Sequence, residues 1–101
     1  MSSKTFTIDG NNFSDMPGFY NEVEKVLTKD LNWKIGRNLN AFNDVLWGGF
    51  GRFENEESII LIWKNSEKSR KELGVANDGE SFFEILTGYI KKKPHIQLIM
   101  Q

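Results

Sequence analysis

Cysteine is absent from the 101 residues, which excludes disulfides, thiolate nucleophiles and thiolate zinc sites. The same absence suits a reducing compartment, and a cytoplasmic location is expected. Histidine occurs once, as His95. Neither a histidine metal cluster nor a cysteine–histidine pair can be assembled from that inventory, and no cofactor or metal is expected. An excess of charge of one sign is also missing: 13 Lys and Arg face 14 Asp and Glu, for a formal charge of -1. No overall field then draws the chain to nucleic acid or to an anionic membrane. The longest unbroken apolar run, Ile59 to Trp63, is far too short to span a bilayer. Met1-Ser2-Ser3-Lys4-Thr5-Phe6 lacks the apolar stretch of a secretory signal. The expectation is a chain neither exported by that route nor embedded in a membrane.

What is present is a hydrophobic content of 39% with 13% aromatic residues, enough for one compact core at this length. A single domain over residues 1–101 is expected. Thr5-Phe6-Thr7-Ile8 alternates and runs into Asp9-Gly10-Asn11-Asn12, a strand and its exit turn. Ser14 or Asp15 can cap a helix from about Met16 to Thr28, with Pro17 in its first turn and Phe19, Val23, Val26 and Leu27 on one face. Asn38 can cap a second, with Leu39, Phe42 and Leu46 at helical spacing and Gly48 as its stop. Ser58 to Trp63 reads as the central strand, its continuous apolar run suggesting cover on both faces. Asn65 or Ser66 can cap a short helix closed by Gly74, and Asp78 another that carries Phe82, Phe83, Ile85, Leu86, Tyr89 and Ile90. Lys91-Lys92-Lys93 suits the negative end of that helix dipole, and Pro94 stops its continuation. His95 to Gln101 alternates as a third strand. Strands joined by helical crossovers are parallel, which gives an α/β fold: a three-stranded parallel sheet packed with about four helices.

Several stretches together resemble the barstar-like family. They are Ile8-Asp9-Gly10, Gly36-Arg37-Asn38-Leu39-Asn40-Ala41, Asp44 with Leu46 and Gly48, Leu61-Ile62-Trp63, Ser69, and Gly79-Glu80-Ser81. The most specific piece is Asn38-Leu39-x-Ala41-x-x-Asp44-x-Leu46-x-Gly48. The resemblance covers nearly the whole chain in pattern and order. It implies a three-stranded parallel sheet with helices and no catalytic activity. It also implies a partner: a secreted bacterial ribonuclease of the barnase type, or a related toxin, whose basic active site receives the second helix and the loop before it. In that family an aspartate on the second helix takes the place of substrate phosphate, and Asp44 aligns with it. Asn38 matches a family contact position. Asn40 stands where the family has a second acid, Lys34 where it has a tyrosine and Trp47 where it has a threonine. Asn43 and Gly49 each replace a tryptophan, and Gly88 replaces a glutamate.

Read from spacing alone, Asn40, Asn43, Asp44 and Trp47 share the helix face opposite the Leu39, Phe42 and Leu46 stripe. An exposed carboxylate there can make charge-assisted hydrogen bonds inside a cationic cleft, or it can simply be solvated. Trp47 can be core or contact, and Asn38 an N-cap or a contact. Lys34 and Arg37 sit in the loop expected to border the site, as contacts or as solvated loop cations. With the resemblance, the expected partner-binding residues are Asp44, Asn38, Asn40, Asn43, Trp47 and Lys34. Two other readings stand beside a ribonuclease inhibitor. One is a barstar-fold binding or immunity module for a different protein, suggested by the replacements at Asn40, Gly49 and Gly88. The other is a small enzyme using carboxylates such as Asp44 and Glu80, which lie in separate helical elements. Gly48-Gly49-Phe50-Gly51 follows a helix, whereas a phosphate loop follows a strand and carries Lys and Ser or Thr.

Overall fold

The computed structural model of the protein describes residues 4–27, 38–46 and 58–101. Strand β1 (Lys4–Asp9) leads through a single 3-10 turn (Gly10–Asn12) to α1 (Met16–Leu27), followed by α2 (Leu39–Leu46) and β2 (Ile59–Lys64). Next come α3 (Ser66–Glu72), α4 (Phe82–Lys91) and β3 (Ile96–Met100). The three strands are parallel in the order β1-β2-β3, with the apolar strand in the centre as expected. Ile8, Trp63 and Met100 stand side by side across the sheet, as do Phe6, Leu61 and Leu98.

Each crossover moves one strand over in the same direction. Right-handed connections therefore put both helix pairs on one face of the sheet. Burial follows that geometry: Ile59, Leu61 and Trp63 are buried, while Ile60 and Ile62 between them are only half-buried. Expected cover on both faces of β2 is thus corrected. Across the back face, Ile60 lies between exposed Thr5 and Gln97, and Ile62 between exposed Thr7 and half-buried Ile99. An apolar run in one strand cannot report what covers it; the polar alternates in its two neighbours do.

Trp63 is the hub of the core. Its ring stacks on Phe19 of α1 at 5.4 Å between centroids and meets Phe83 of α4 edge-on at 5.0 Å. Phe19 in turn packs edge-on against Phe42 of α2 at 5.1 Å, so one aromatic chain joins β2, α1 and α2. The indole N–H donates to buried Ser69 Oγ at 3.0 Å, which removes the cost of burying it.

A knot of polar contacts closes the carboxyl ends of β1 and β2. The Asp9 carboxylate accepts from the Asn11 N–H at 2.9 Å and from Asn65 Nδ2 at 2.8 Å, and these bonds hold its pKa below the usual 3.8. The Asp9 N–H donates to Glu22 at 3.0 Å, and Asn12 Nδ2 donates to the same oxygen at 3.0 Å. Lys68 Nζ donates to the carbonyls of Gly10 and Phe13. Gly10 sits so close to α3 that a Cβ there would lie 2.6 Å from Ser69 Oγ and 2.7 Å from the Asn65 carbonyl.

Two expected caps are corrected. Asn65 precedes α3 in the left-handed region (φ 57°) without capping it through its side chain; that side chain is committed to Asp9 instead. Ser81, not Asp78, caps α4 by accepting from the Glu84 N–H, while Asp78 accepts from the Glu80 N–H in the turn ahead. Short polar side chains close whichever nearby N–H the backbone presents, so adjacent candidates compete. In α1 it is Asp15 that caps, accepting from the Gly18 N–H at 2.8 Å.

Candidate functional site

Helix α2 has eight residues and is set by packing more than by its own propensity. Phe42, Val45 and Leu46 are buried and Leu39 packs against the core. Asn38 caps it: Oδ1 accepts from the Ala41 N–H at 2.8 Å, and the Asn38 carbonyl accepts from the Phe42 N–H. The expected stripe of Leu39, Phe42 and Leu46 therefore faces inward, and Val45 joins it.

Opposite that stripe, Asn40 and Asp44 are exposed and one helical turn apart. Asn43 is half-buried on the flank toward the end of α4, where its Oδ1 accepts from Lys93 Nζ at 2.5 Å. The Lys93 ammonium also donates to the Tyr89 carbonyl at 3.3 Å. Burial and then the neighbouring Lys92 charge push its pKa below 10.5. Lys93 stands just past the terminus of α4 and is only 5% exposed. At the other end of α2, His95 Nε2 lies 2.9 Å from the Leu46 carbonyl and donates to it in the tautomer that carries the proton there. Two residues of the α4–β3 junction thus help to seat α2, and neither is among the partner-binding residues expected from the sequence. Each lies about fifty positions from its contact, a separation that no local pattern encodes. Trp47 and Lys34, and also Gly36, Arg37 and Gly48 to Gly51, fall outside the described residues.

Between α2 and α4 runs a groove of about 310 Å³, lined by Leu39, Glu80, Glu84, Ile85, Gly88, Tyr89 and Lys92. A Cβ at Gly88 would meet nothing within 4 Å. Glu84 is paired with Arg70, whose guanidinium lies 4.7 Å over the Phe83 ring. Glu80 thus borders a groove lined by Leu39 and not by Asp44, so this groove does not bring the two carboxylates together for acid–base work. Among the described residues, no group of three or more His, Asp or Glu could hold a metal ion. Nor, among them, is any helix long and apolar enough to cross a membrane.

A family model described as Barstar (barnase inhibitor) matches residues 3–97, almost the entire chain. The chain belongs to the barstar family. No curated protein matches it. Members of the barstar family are inhibitors rather than enzymes, and the three-stranded parallel sheet with four helices is consistent with that family. Within this barstar-family fold the motif that carried the resemblance divides by role: Leu39 and Leu46 turn inward, Asn38 caps, and Asp44 projects from the exposed face.

Proposed function

We propose that this protein inhibits a barnase-type ribonuclease by laying α2, with the loop before it, into the basic active site, where Asp44 takes the place of substrate phosphate. The observation that carries the reading is the exposed Asp44 carboxylate on a short helix whose opposite face is anchored by Phe42, Val45 and Leu46, in a chain of the barstar family. A carboxylate held on a rigid element loses little entropy on binding, and inside a cationic cleft its hydrogen bonds are charge-assisted. Asn38, Asn40, Asn43, Trp47 and Lys34 are assigned to the rim of the contact. The proposal carries with it one domain over residues 1–101, action in the cytoplasm as an immunity protein against a secreted nuclease, and no cofactor.

Titration against barnase-type ribonucleases tests it. Asp44→Ala is expected to weaken inhibition about a hundredfold or more, on the order of 3 kcal/mol, a range to which the barnase–barstar pair itself contributes. Unchanged thermal stability would accompany it. Equal inhibition by wild type and Asp44→Ala would sink the mechanism. A second reading, a barstar-fold module for another protein, draws on the acid-free Asn40 and on the open space at Gly88. Pull-down from the native cell separates the two: recovery of a nuclease alone argues against the second.

A further inference from the structure

Three amides, Asn38, Asn40 and Asn43, accompany Asp44 at α2, and in Asn38 and Asn43 the carbonyl oxygen already accepts a hydrogen bond within the fold. Asn38 Oδ1 accepts from a main-chain N–H and Asn43 Oδ1 from the Lys93 ammonium. Neither donor can act as an acceptor. Turning either amide over would set NH2 against N–H or NH3+, so both orientations are dictated by chemistry. With one lone pair of each Oδ1 engaged and the amide orientation fixed, the NH2 group is what Asn38 and Asn43 chiefly have to offer a partner. The Lys93 head is held in place by its second bond to the Tyr89 carbonyl and by burial, so it does not swing away as a surface lysine would.

We propose that Lys93 is a positioning residue that turns the Asn43 amide donor outward, so that the α2 face offers a partner the Asp44 carboxylate as acceptor and, beside it, an oriented NH2 donor. The partner must then present, beside the cation that receives Asp44, an acceptor oxygen of a carboxylate or main-chain carbonyl that takes the Asn43 NH2. A cleft that binds phosphate through cations and holds a carboxylate as general base has that combination. This inference rests on α2 being the partner-binding helix. It differs from a purely acidic face, which would meet a basic cleft by charge alone.

Asn43→Asp separates the two, because it is nearly isosteric, removes the NH2 and adds a negative charge. A mixed face loses about tenfold in affinity for a barnase-type ribonuclease when a required donor becomes an acceptor; an acidic face gains affinity. Equal or tighter binding by Asn43→Asp overturns the proposal. Asp44→Ala measured in parallel reports on the parent reading alone. Free protein supplies an arm that needs no partner: a through-hydrogen-bond NMR coupling between Lys93 Nζ and the Asn43 side-chain carbonyl carbon. That coupling is expected in wild type and absent in Lys93→Met, where the Asn43 NH2 signals also collapse toward those of a freely turning amide. If wild type shows no coupling and its amide turns as in Lys93→Met, Lys93 does not position Asn43 and the proposal fails, whatever the nuclease result.

Discussion

The knot at the carboxyl ends of β1 and β2 and the seat of α2 are built from the same residue types to opposite ends. In the knot, Asp9, Asn12, Asn65 and Glu22 spend polar atoms on one another and on main chain, and Gly10 leaves no room for a side chain. On α2, Asn38 and Asn43 spend only their acceptors inward, and Asn40 and Asp44 remain exposed. Residues that carried the same family resemblance therefore divide by task. Asp9, Gly10 and Ser69 lock elements together, whereas Asp44 is presented outward.

Phe42→Ala is the change that most severely tests this division, because Phe42 belongs to the aromatic chain and to α2 at once. A loss of about 3–5 kcal/mol is expected for a fully buried phenylalanine, read by urea denaturation, with inhibition lost as well. A small stability loss would show that α2 is seated without it. Gly10→Ala comes next: overpacking against Ser69 Oγ and the Asn65 carbonyl is expected to cost about 1–3 kcal/mol while leaving nuclease affinity at the wild-type level once folded protein is titrated. A fall in affinity would join two regions that the comparison separates.

Asn38→Ala is smaller, about 1 kcal/mol of stability for a lost N-cap. Asn38→Asp sharpens the point, since it keeps the cap acceptor and removes the NH2: stability close to wild type with weaker inhibition is expected, and unchanged inhibition would confine Asn38 to capping.

Acid titration gives the smallest effect. Hydrogen bonds from Asn11 and Asn65 lower the Asp9 pKa, so the folded state binds that proton less readily than the unfolded chain does. Its contribution is complete above the ordinary value of 3.8 and is lost as pH falls through the lowered folded value. Asn65→Ala is expected to flatten that acid limb in denaturation curves measured below pH 4, and an unaltered limb would remove Asp9 from the balance.

Much of the fold was legible because its determinants are local. The alternation of β1 and β3, the α1 and α2 stripes, and the caps Asp15 and Asn38 all reside within a few residues of what they control. Legibility failed where a decision lay elsewhere in the chain. Asn65 does not cap α3 through its side chain because it stands in the left-handed region, where its NH2 donates to Asp9, far away in sequence. The half-open back of β2 is encoded in Thr5, Thr7 and Gln97, not in β2 itself. Within the candidate site, the outward position of Asp44 followed from the stripe opposite it. The flanking contact of Asn43 did not, because a lysine in a run of three reads locally as a match to the helix dipole.

The seating of α2 also bears on the order in which the molecule is made. Asn43 and Leu46 leave the ribosome about fifty residues before Lys93 and His95, the side chains that hold them. Contacts of such long range form late, after the entropy of closing the intervening chain has been met. A nascent chain that has not reached His95 carries Asp44 on a helix that lacks these two contacts, so the Asn43 amide is oriented only after synthesis has passed the α4–β3 junction.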